Sequence, residues 1–302
     1  MVGWLINDCL TCIPGTKTFW HDLLDWFPEL IDKTNQYTPY ESLPKYIEEE
    51  VKKIGEPDYI IRNASFFPPL NLKTFTISYL QDYYTGKEQE NQIKVCNSSD
   101  LVIFNSKYLE EKYKKFLTVP YEVIPIGTDF SLFSKKYMVK ENLDIKKNSI
   151  LFVGSCNKIK GFPKLLELVD NTDYTFCFVM KDNFQIKHDR IKVFNKVNSE
   201  TMSNIMNSCA FLLCLSEEET LHLAGIEAAA CDLPILTTKV GVYYNLKENG
   251  WGRFVSENLI EDVKNMFKDL DTFTPRKVFE QFTLKKEDCK NSWISIQERI
   301  LN

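Results

Sequence analysis

No apolar run in this 302-residue chain approaches the length that crosses a bilayer as a helix, so a membrane-spanning segment is not expected. The opening residues, Met1-Val2-Gly3-Trp4-Leu5-Ile6-Asn7-Asp8, carry no basic stretch ahead of the apolar ones and turn polar after six. They read as a first strand and not as a signal peptide. G-x-G-x-x-G, G-x4-G-K-[ST] and G-x-S-x-G are all missing, which removes the commonest dinucleotide, phosphate-loop and hydrolase readings. Histidine is scarce: His21, His188 and His222 lie far apart, so the one C-x-x-C, Cys9 to Cys12, lacks partners for a zinc site and no metal is expected. The nine cysteines are odd in number and scattered through apolar segments (Cys177, Cys209, Cys214), without a disulfide framework. Reduced, buried thiols in a cytoplasmic protein are the expectation. A basic surplus is missing too. The formal charge is −5, and residues 1–134 hold 13 Lys+Arg against 19 Asp+Glu, which argues against a nucleic-acid partner. Only Lys107–Lys115 is locally basic, and it reads as a solvated helix face, with contact to a membrane surface as the alternative.

What is present is strand–helix alternation from end to end, the pattern of doubly wound α/β domains, with length enough for two. Strands are expected at 2–7, 59–62, 74–79, 101–104 and 122–124, then at 150–153, 175–180, 191–194, 210–215 and 234–237. The first-half helices fall at 17–26, 43–53, 88–97 and 106–116. Apolar periodicity lapses between Phe130 and Asn148, which marks a boundary. Asp269-Leu270-Asp271 formally matches a metal-binding D-x-D, but it lies in an amphipathic segment and reads as helix surface.

Ser216–Gly241 (SEEETLHLAGIEAAACDLPILTTKVG) carries the most chemistry. Glu219 and Glu227 flank the start of a helix, expected over Leu221–Cys231, that lies between the apolar strands 210–215 and 233–236. The N–H groups of such a helix start, with the positive end of its dipole, suit a diphosphate. E-x7-E followed by A-x-A-C-x-x-P-I and V-G resembles the donor-binding signature of family 4 of the retaining glycosyltransferases, which have the GT-B fold. The resemblance implies that Glu227 bonds the ribose and that Glu219 lies beside the transferred sugar. On spacing alone two glutamates would read as a solvated helix face; their setting between the strands favours the site. Thr220 and His222 stand where the family has small residues, so the amides of Leu221, His222 and Leu223 form a narrower cradle. A lone histidine such as His222 is more often structural, with phosphate contact the alternative.

Two further segments follow in the family's order. Gly154-Ser155-x4-Lys160-Gly161 resembles its G-R-x4-K-G element, in which basic residues neutralise the donor diphosphate; Lys160 matches, and Ser155 replaces the usual Arg, leaving Lys158 as a substitute base. Tyr121–Phe133 (YEVIPIGTDFSLF) resembles the family's interdomain link, with Gly127 and Asp129 also serving as turn residues. In the first half, Gly15 falls in a loop where relatives turn a glycine toward the phosphates. Gln81-Asp82 falls where they often carry His-Asp near the sugar, so Asp82 reads as a group for a sugar hydroxyl or as a strand cap. Tyr79, Tyr83 and Tyr84 offer stacking faces, or core.

The resemblance implies two Rossmann-like domains facing a cleft: an acceptor-side domain over 1–133, a nucleotide-sugar domain over 134–284, and a final segment, 285–302, whose helix crosses back to the first domain. Phe130–Asn148 would act as the hinge. The expected activity is transfer of a sugar, with retention and without metal or cofactor, from a nucleoside-diphosphate sugar to a glycan, glycolipid or glycoprotein acceptor. Glu219, Lys160 and Asp82 are the catalytic candidates. Gly15, Gly154, Ser155, Lys160, Leu221, His222, Leu223 and Glu227 would bind the donor, with Phe194, Asn195 and Val197 beside the base. The departures at Ser155, Gln81 and His222 motivate a catalytically silent nucleotide-sugar or protein-binding module as the alternative. An epimerase or hydrolase would use the same pocket. A cytoplasmic protein, or one peripheral to a membrane, fits either.

Overall fold

The computed structural model describes residues 2–6, 14–33, 43–63, 68–70, 72–136 and 143–301. Cys9 and Cys12 lie outside the described residues. The chain forms two compact units, one running to Gly127 and taking in the chain from Glu287 onward, the other Thr128–Lys286.

In the first unit, β1 (Gly3–Ile6), β2 (Leu30–Asp32), β3 (Tyr59–Asn63), β4 (Phe75–Leu80), β5 (Leu101–Phe104) and β6 (Tyr121–Val123) make one parallel sheet in the order β2-β1-β3-β4-β5-β6. Its helices are α1 (Pro14–Trp26), α2 (Leu43–Ile54), α3 (Lys87–Asn97) and α4 (Lys107–Tyr113). The central strands are buried along their length, as continuous apolar runs covered on both faces require. Ser106 starts α4 by accepting the Leu109 N–H on its hydroxyl.

The second unit repeats the design with a different order. Its strands β7 (Ile150–Gly154), β8 (Phe176–Met180), β9 (Ile191–Asn195), β10 (Phe211–Cys214), β11 (Ile235–Thr237) and β12 (Gly252–Phe254) are parallel and run β12-β11-β10-β7-β8-β9. The helices are α5 (Phe162–Asp170), α6 (Ser199–Ser208), α7 (Leu223–Ala230), α8 (Leu259–Asp269) and α9 (Pro275–Phe279). Phe152, Phe162, Leu165, Phe176, Phe178 and Phe211 fill one side of the sheet. The chain progresses outward through β8 and β9, then returns to start again at β10 beside β7. That reversal leaves a crevice at the carboxyl ends of β7 and β10, where open α/β sheets hold their ligands.

The closing helix, α10 (Lys286–Leu301), packs into the first unit. Trp293 meets Phe19 and Tyr79 at ring separations of 6.1 and 5.6 Å, and the Cys289 thiol donates to the Pro125 carbonyl. Tyr79 is therefore core, its hydroxyl bonded to the Ile124 carbonyl at 3.1 Å. Two strands escape the sequence reading, β2 and β12, each three residues long at a sheet edge. No described helix is long and apolar enough to cross a membrane.

Candidate functional site

The loops after β7 and β10 meet at the reversal point of the second sheet. Gly161 permits it: at φ +69° it takes the left-handed conformation, and a Cβ there would stand 2.3 Å from the Leu215 carbonyl oxygen. The Glu217 N–H donates to the Ile159 carbonyl at 2.7 Å, joining the two loops. Lys160 and Glu219, 59 residues apart in sequence, consequently pair at 2.6 Å. The Ser216 hydroxyl donates to the same Glu219 oxygen at 2.8 Å, and Thr238 from beyond β11 holds the Ser216 carbonyl at 2.5 Å.

The helix following Glu219 begins later than its composition suggests. α7 starts at Leu223, not at Leu221, because His222 adopts φ 68°, ψ 65° and acts as its N-cap. Such a backbone is rare outside glycine, although histidine tolerates it better than most residues. The imidazole is buried, and its Nδ1 has no hydrogen-bond partner; nor has the hydroxyl of Tyr243, whose ring lies 5.6 Å away. Both atoms crowd the space over Gly225, where a Cβ would meet them at 2.5 and 1.9 Å.

Electrostatics divide the two glutamates. Burial disfavours charge on Glu219, but His222, Lys160 and Ser216 outweigh it and hold the carboxyl below its ordinary value. Glu227, in the second turn of α7, is pushed up to about 7 by burial, with His222 only partly opposing. Burial also opposes charge on Cys214, yet the neighbouring His222 brings the thiol down to about 7, and the thiol in turn raises His222. The positive end of the α7 dipole lies at Leu223, whose N–H and that of Ala224 have no intrahelical acceptor by helix geometry, while the Gly225 N–H donates to the His222 carbonyl at 3.0 Å. The arrangement offers an anion a lysine and amides, and a polyol two carboxyls.

Other candidates are less concentrated. Gly154 closes β7, and a Cβ on it would lie 3.6 Å from the Lys160 side chain. Ser155 accepts the Asn157 N–H on its carbonyl, and Lys158, the substitute base considered from sequence, is exposed. Asn195 uses both ends of its amide on the Phe184 backbone at 3.0 Å, which occupies it structurally. Phe194 lies on β9 with the Lys192 ammonium over its ring, and Val197 follows half-buried. In the first unit, Gly15 is in the first turn of α1 and not in a loop. Asp82 follows β4 and takes the Gln92 amide on its carbonyl at 3.2 Å; Gln81 is buried with both side-chain amide atoms unpartnered. Cys214, Ser216, Thr238 and Tyr243 were not singled out from sequence. For Cys214 a signal exists, since it is the last residue of the strand that feeds the site loop.

Comparison with known proteins supplies the relationship. Residues 147–270 match the family model described as Glycosyl transferases group 1. The second unit is thus similar to the group 1 glycosyl transferases. The group 1 segment contains every part of the crevice described above, from Gly154 to Tyr243. An uncharacterized glycosyltransferase, MJ1178 of Methanocaldococcus jannaschii, is 26% identical over 185 residues, covering 57% of this chain and 50% of that protein. A probable sucrose-phosphate synthase of Thermosipho melanesiensis is 24% identical over 247 residues, or 76% of this chain and 57% of that one. The chain thus spans about half the length of these two relatives. Among solved structures, sucrose-phosphate synthase from Thermosynechococcus elongatus superposes with a TM-score of 0.78 at 14% identity, covering 100% of this chain and 99% of that one. Anabaena HepE in complex with UDP and glucose gives 0.75 at 14%, over 99% and 100%. At such identity the likeness is one of fold, and the fold is GT-B. Lys160, Glu219 and Glu227 all lie within the matched segment.

Proposed function

We propose that the chain transfers a sugar from a nucleoside-diphosphate donor, held at the reversal point of the second unit, to a hydroxyl of a glycan, glycolipid or glycoprotein. The observation carrying this reading is the Lys160–Glu219 pair set against the start of α7. HepE binds UDP and UDP-glucose on the same fold, which supports a nucleotide-sugar donor. As the bond from sugar to phosphate breaks, charge accumulates on the departing diphosphate. Lys160 and the amides at Leu221 to Leu223 oppose that charge in place of a cation. To reach the phosphate, Lys160 exchanges Glu219 for it, and the freed Glu219 carboxylate turns to the sugar hydroxyls. Glu227 accepts from the ribose. Retention of configuration follows the family resemblance.

Calorimetry on two variants tests the assignment. Glu227→Ala removes a charged acceptor for the ribose, so affinity for whichever of UDP, GDP or ADP binds best should fall about 10- to 100-fold. Glu219→Ala should bind that nucleotide almost normally while losing turnover, since its contact is to the reacting sugar. Equal nucleotide affinity in wild type and Glu227→Ala would remove the donor from this site. Turnover should also persist in EDTA; activity lost to chelator and restored by Mn²⁺ or Mg²⁺ would contradict the roles of Lys160 and α7.

A silent nucleotide-sugar binder is the second reading, favoured by Ser155 and by the commitment of Lys160 to Glu219. Incubation with UDP-, GDP- and ADP-sugars separates the cases. Nucleotide release with sugar on an acceptor marks transfer, free sugar marks hydrolysis, an altered nucleotide-linked sugar marks epimerisation, and binding without turnover marks the silent module.

A further inference from the structure

Cys214, Glu219 and His222 place a sulfur, a carboxylate oxygen and an imidazole nitrogen within 4.8 Å of one another. Each arrives from a different part of the local backbone: the end of β10, the loop after it, and the left-handed cap of α7. We propose that these three side chains bind a thiophilic divalent cation, Zn²⁺ foremost, and that the cation arrests transfer by taking Glu219 from Lys160 and holding it away from the sugar. The second half of the proposal rests on the donor reading above; the cation site itself does not.

The geometry is close to what zinc needs. With bonds of about 2.0–2.3 Å, tetrahedral ligand atoms stand roughly 3.3–3.8 Å apart, so closing the trio takes about 1 Å of side-chain movement. Three protein ligands with a fourth position open is a common zinc arrangement. One thiolate, one imidazole and one carboxylate select Zn²⁺ over Mg²⁺ or Mn²⁺, whose preference is for oxygen. Zn²⁺ with an ionised Cys214, an ionised Glu219 and a neutral His222 is electrically balanced.

An independent observation points the same way. His222 is 8% exposed and its Nδ1 has no partner, and the buried Tyr243 hydroxyl beside it has none either. Two adjacent buried polar atoms without hydrogen bonds each cost stability. A metal-bound imidazole donates its second N–H to a neighbouring group, which fixes the ring. Gly225 keeps open the space that both atoms share. The way in is on the Lys160 side, where the lysine side chain is 30% exposed and Glu219 13%, while Cys214 lies at the back at 4%.

The test titrates Co²⁺, then Zn²⁺, into the full chain stripped with EDTA. Wild type should develop a thiolate-to-cobalt charge-transfer band that Zn²⁺ abolishes. Cys214→Ser should lose the band and weaken Zn²⁺ binding by at least about 100-fold, and Glu219→Gln should weaken it about 10-fold. Lys160→Ala should tighten Zn²⁺ several-fold, because Glu219 loses its competitor, while weakening the nucleoside diphosphate. A band that persists in Cys214→Ser overturns the site. So does Zn²⁺ affinity unchanged in both Glu219→Gln and Lys160→Ala, two variants at the exposed side that keep the buried thiol in place. Saturating Zn²⁺ should lower wild-type turnover of the donor sugar at least about 10-fold while leaving free-nucleotide affinity little changed, as Glu219→Ala does, and should not slow Cys214→Ser. Zn²⁺ bound with wild-type turnover unchanged overturns the arrest of transfer. Failure of zinc-free wild type to bind any nucleotide counts against the proposed function and leaves the cation site to be judged on the cobalt band.

Discussion

Glu219 and Glu227 sit eight residues apart in one loop–helix segment, and their surroundings drive their ionisation in opposite directions. Glu219 has Lys160 and Ser216 on one oxygen; Glu227 has burial. In the unfolded chain Glu227 ionises near its ordinary 4.5, and in the folded chain at about 7. Between those values the folded state holds the extra proton, so this group's contribution to stability falls as pH rises and its penalty is complete above about 7. Glu227→Gln abolishes the penalty. The variant should therefore gain on wild type between pH 5 and pH 8, by on the order of 1–3 kcal/mol. Urea unfolding of both proteins at the two pH values measures it, and a difference that does not change with pH would mean that Glu227 ionises normally. The same ionisation governs the ribose contact, because only the carboxylate accepts from both hydroxyls.

Short elements carry much of the organisation of the second unit. α9 has five residues, yet its Arg276 donates to three carbonyls: Ala230 at 2.6 Å, Phe130 at 3.1 Å and Phe133 at 3.2 Å. Its own N–H reaches Asp232 at 3.2 Å. One guanidinium thereby ties the end of α7 to residues 130–133, and the Phe130 ring lies beneath it at 5.4 Å. Arg276→Met keeps the aliphatic bulk and removes the donors. Allowing for partial exposure, it should cost about 2–4 kcal/mol in denaturant unfolding. A loss under about 0.5 kcal/mol would show that water replaces the guanidinium freely. None of this was legible locally, since an arginine in P-R-K reads as surface. The start of α7 was legible only to within two residues, because the pattern of apolar positions carries no mark of a left-handed histidine.

At the scale of the whole molecule, two cores share one chain, and the last helix belongs with the first of them. Trp293 and Ile296 are each 1% exposed, and Trp293 completes an aromatic cluster with Phe19 and Tyr79. Ending the chain at Lys286 removes both and opens that cluster to water. The first unit should then lose more than about 5 kcal/mol, enough to unfold a marginally stable domain, while the second keeps its own core. Calorimetry of the truncated chain should show one remaining transition, and nucleotide affinity measured below it should survive if the donor contacts lie wholly in the second unit. An unchanged two-transition profile would mean that α10 contributes little to the first core.

The sequence by itself determined the α/β class, ten of the twelve strands among the described residues, and the residue types at the crevice: Lys160 after one strand, Glu219 and Glu227 after another. These are local matters, because an apolar run of four to six residues or a helix start is written within a few positions. Tertiary structure decided which of those residues meet. Lys160 reaches Glu219, and Cys214 comes to lie with Glu219 and His222, because β7 and β10 are neighbours where the sheet order reverses and Gly161 lets their loops touch. Strand order depends on how all the helices cover both faces of the sheet, a condition that no short window of sequence contains.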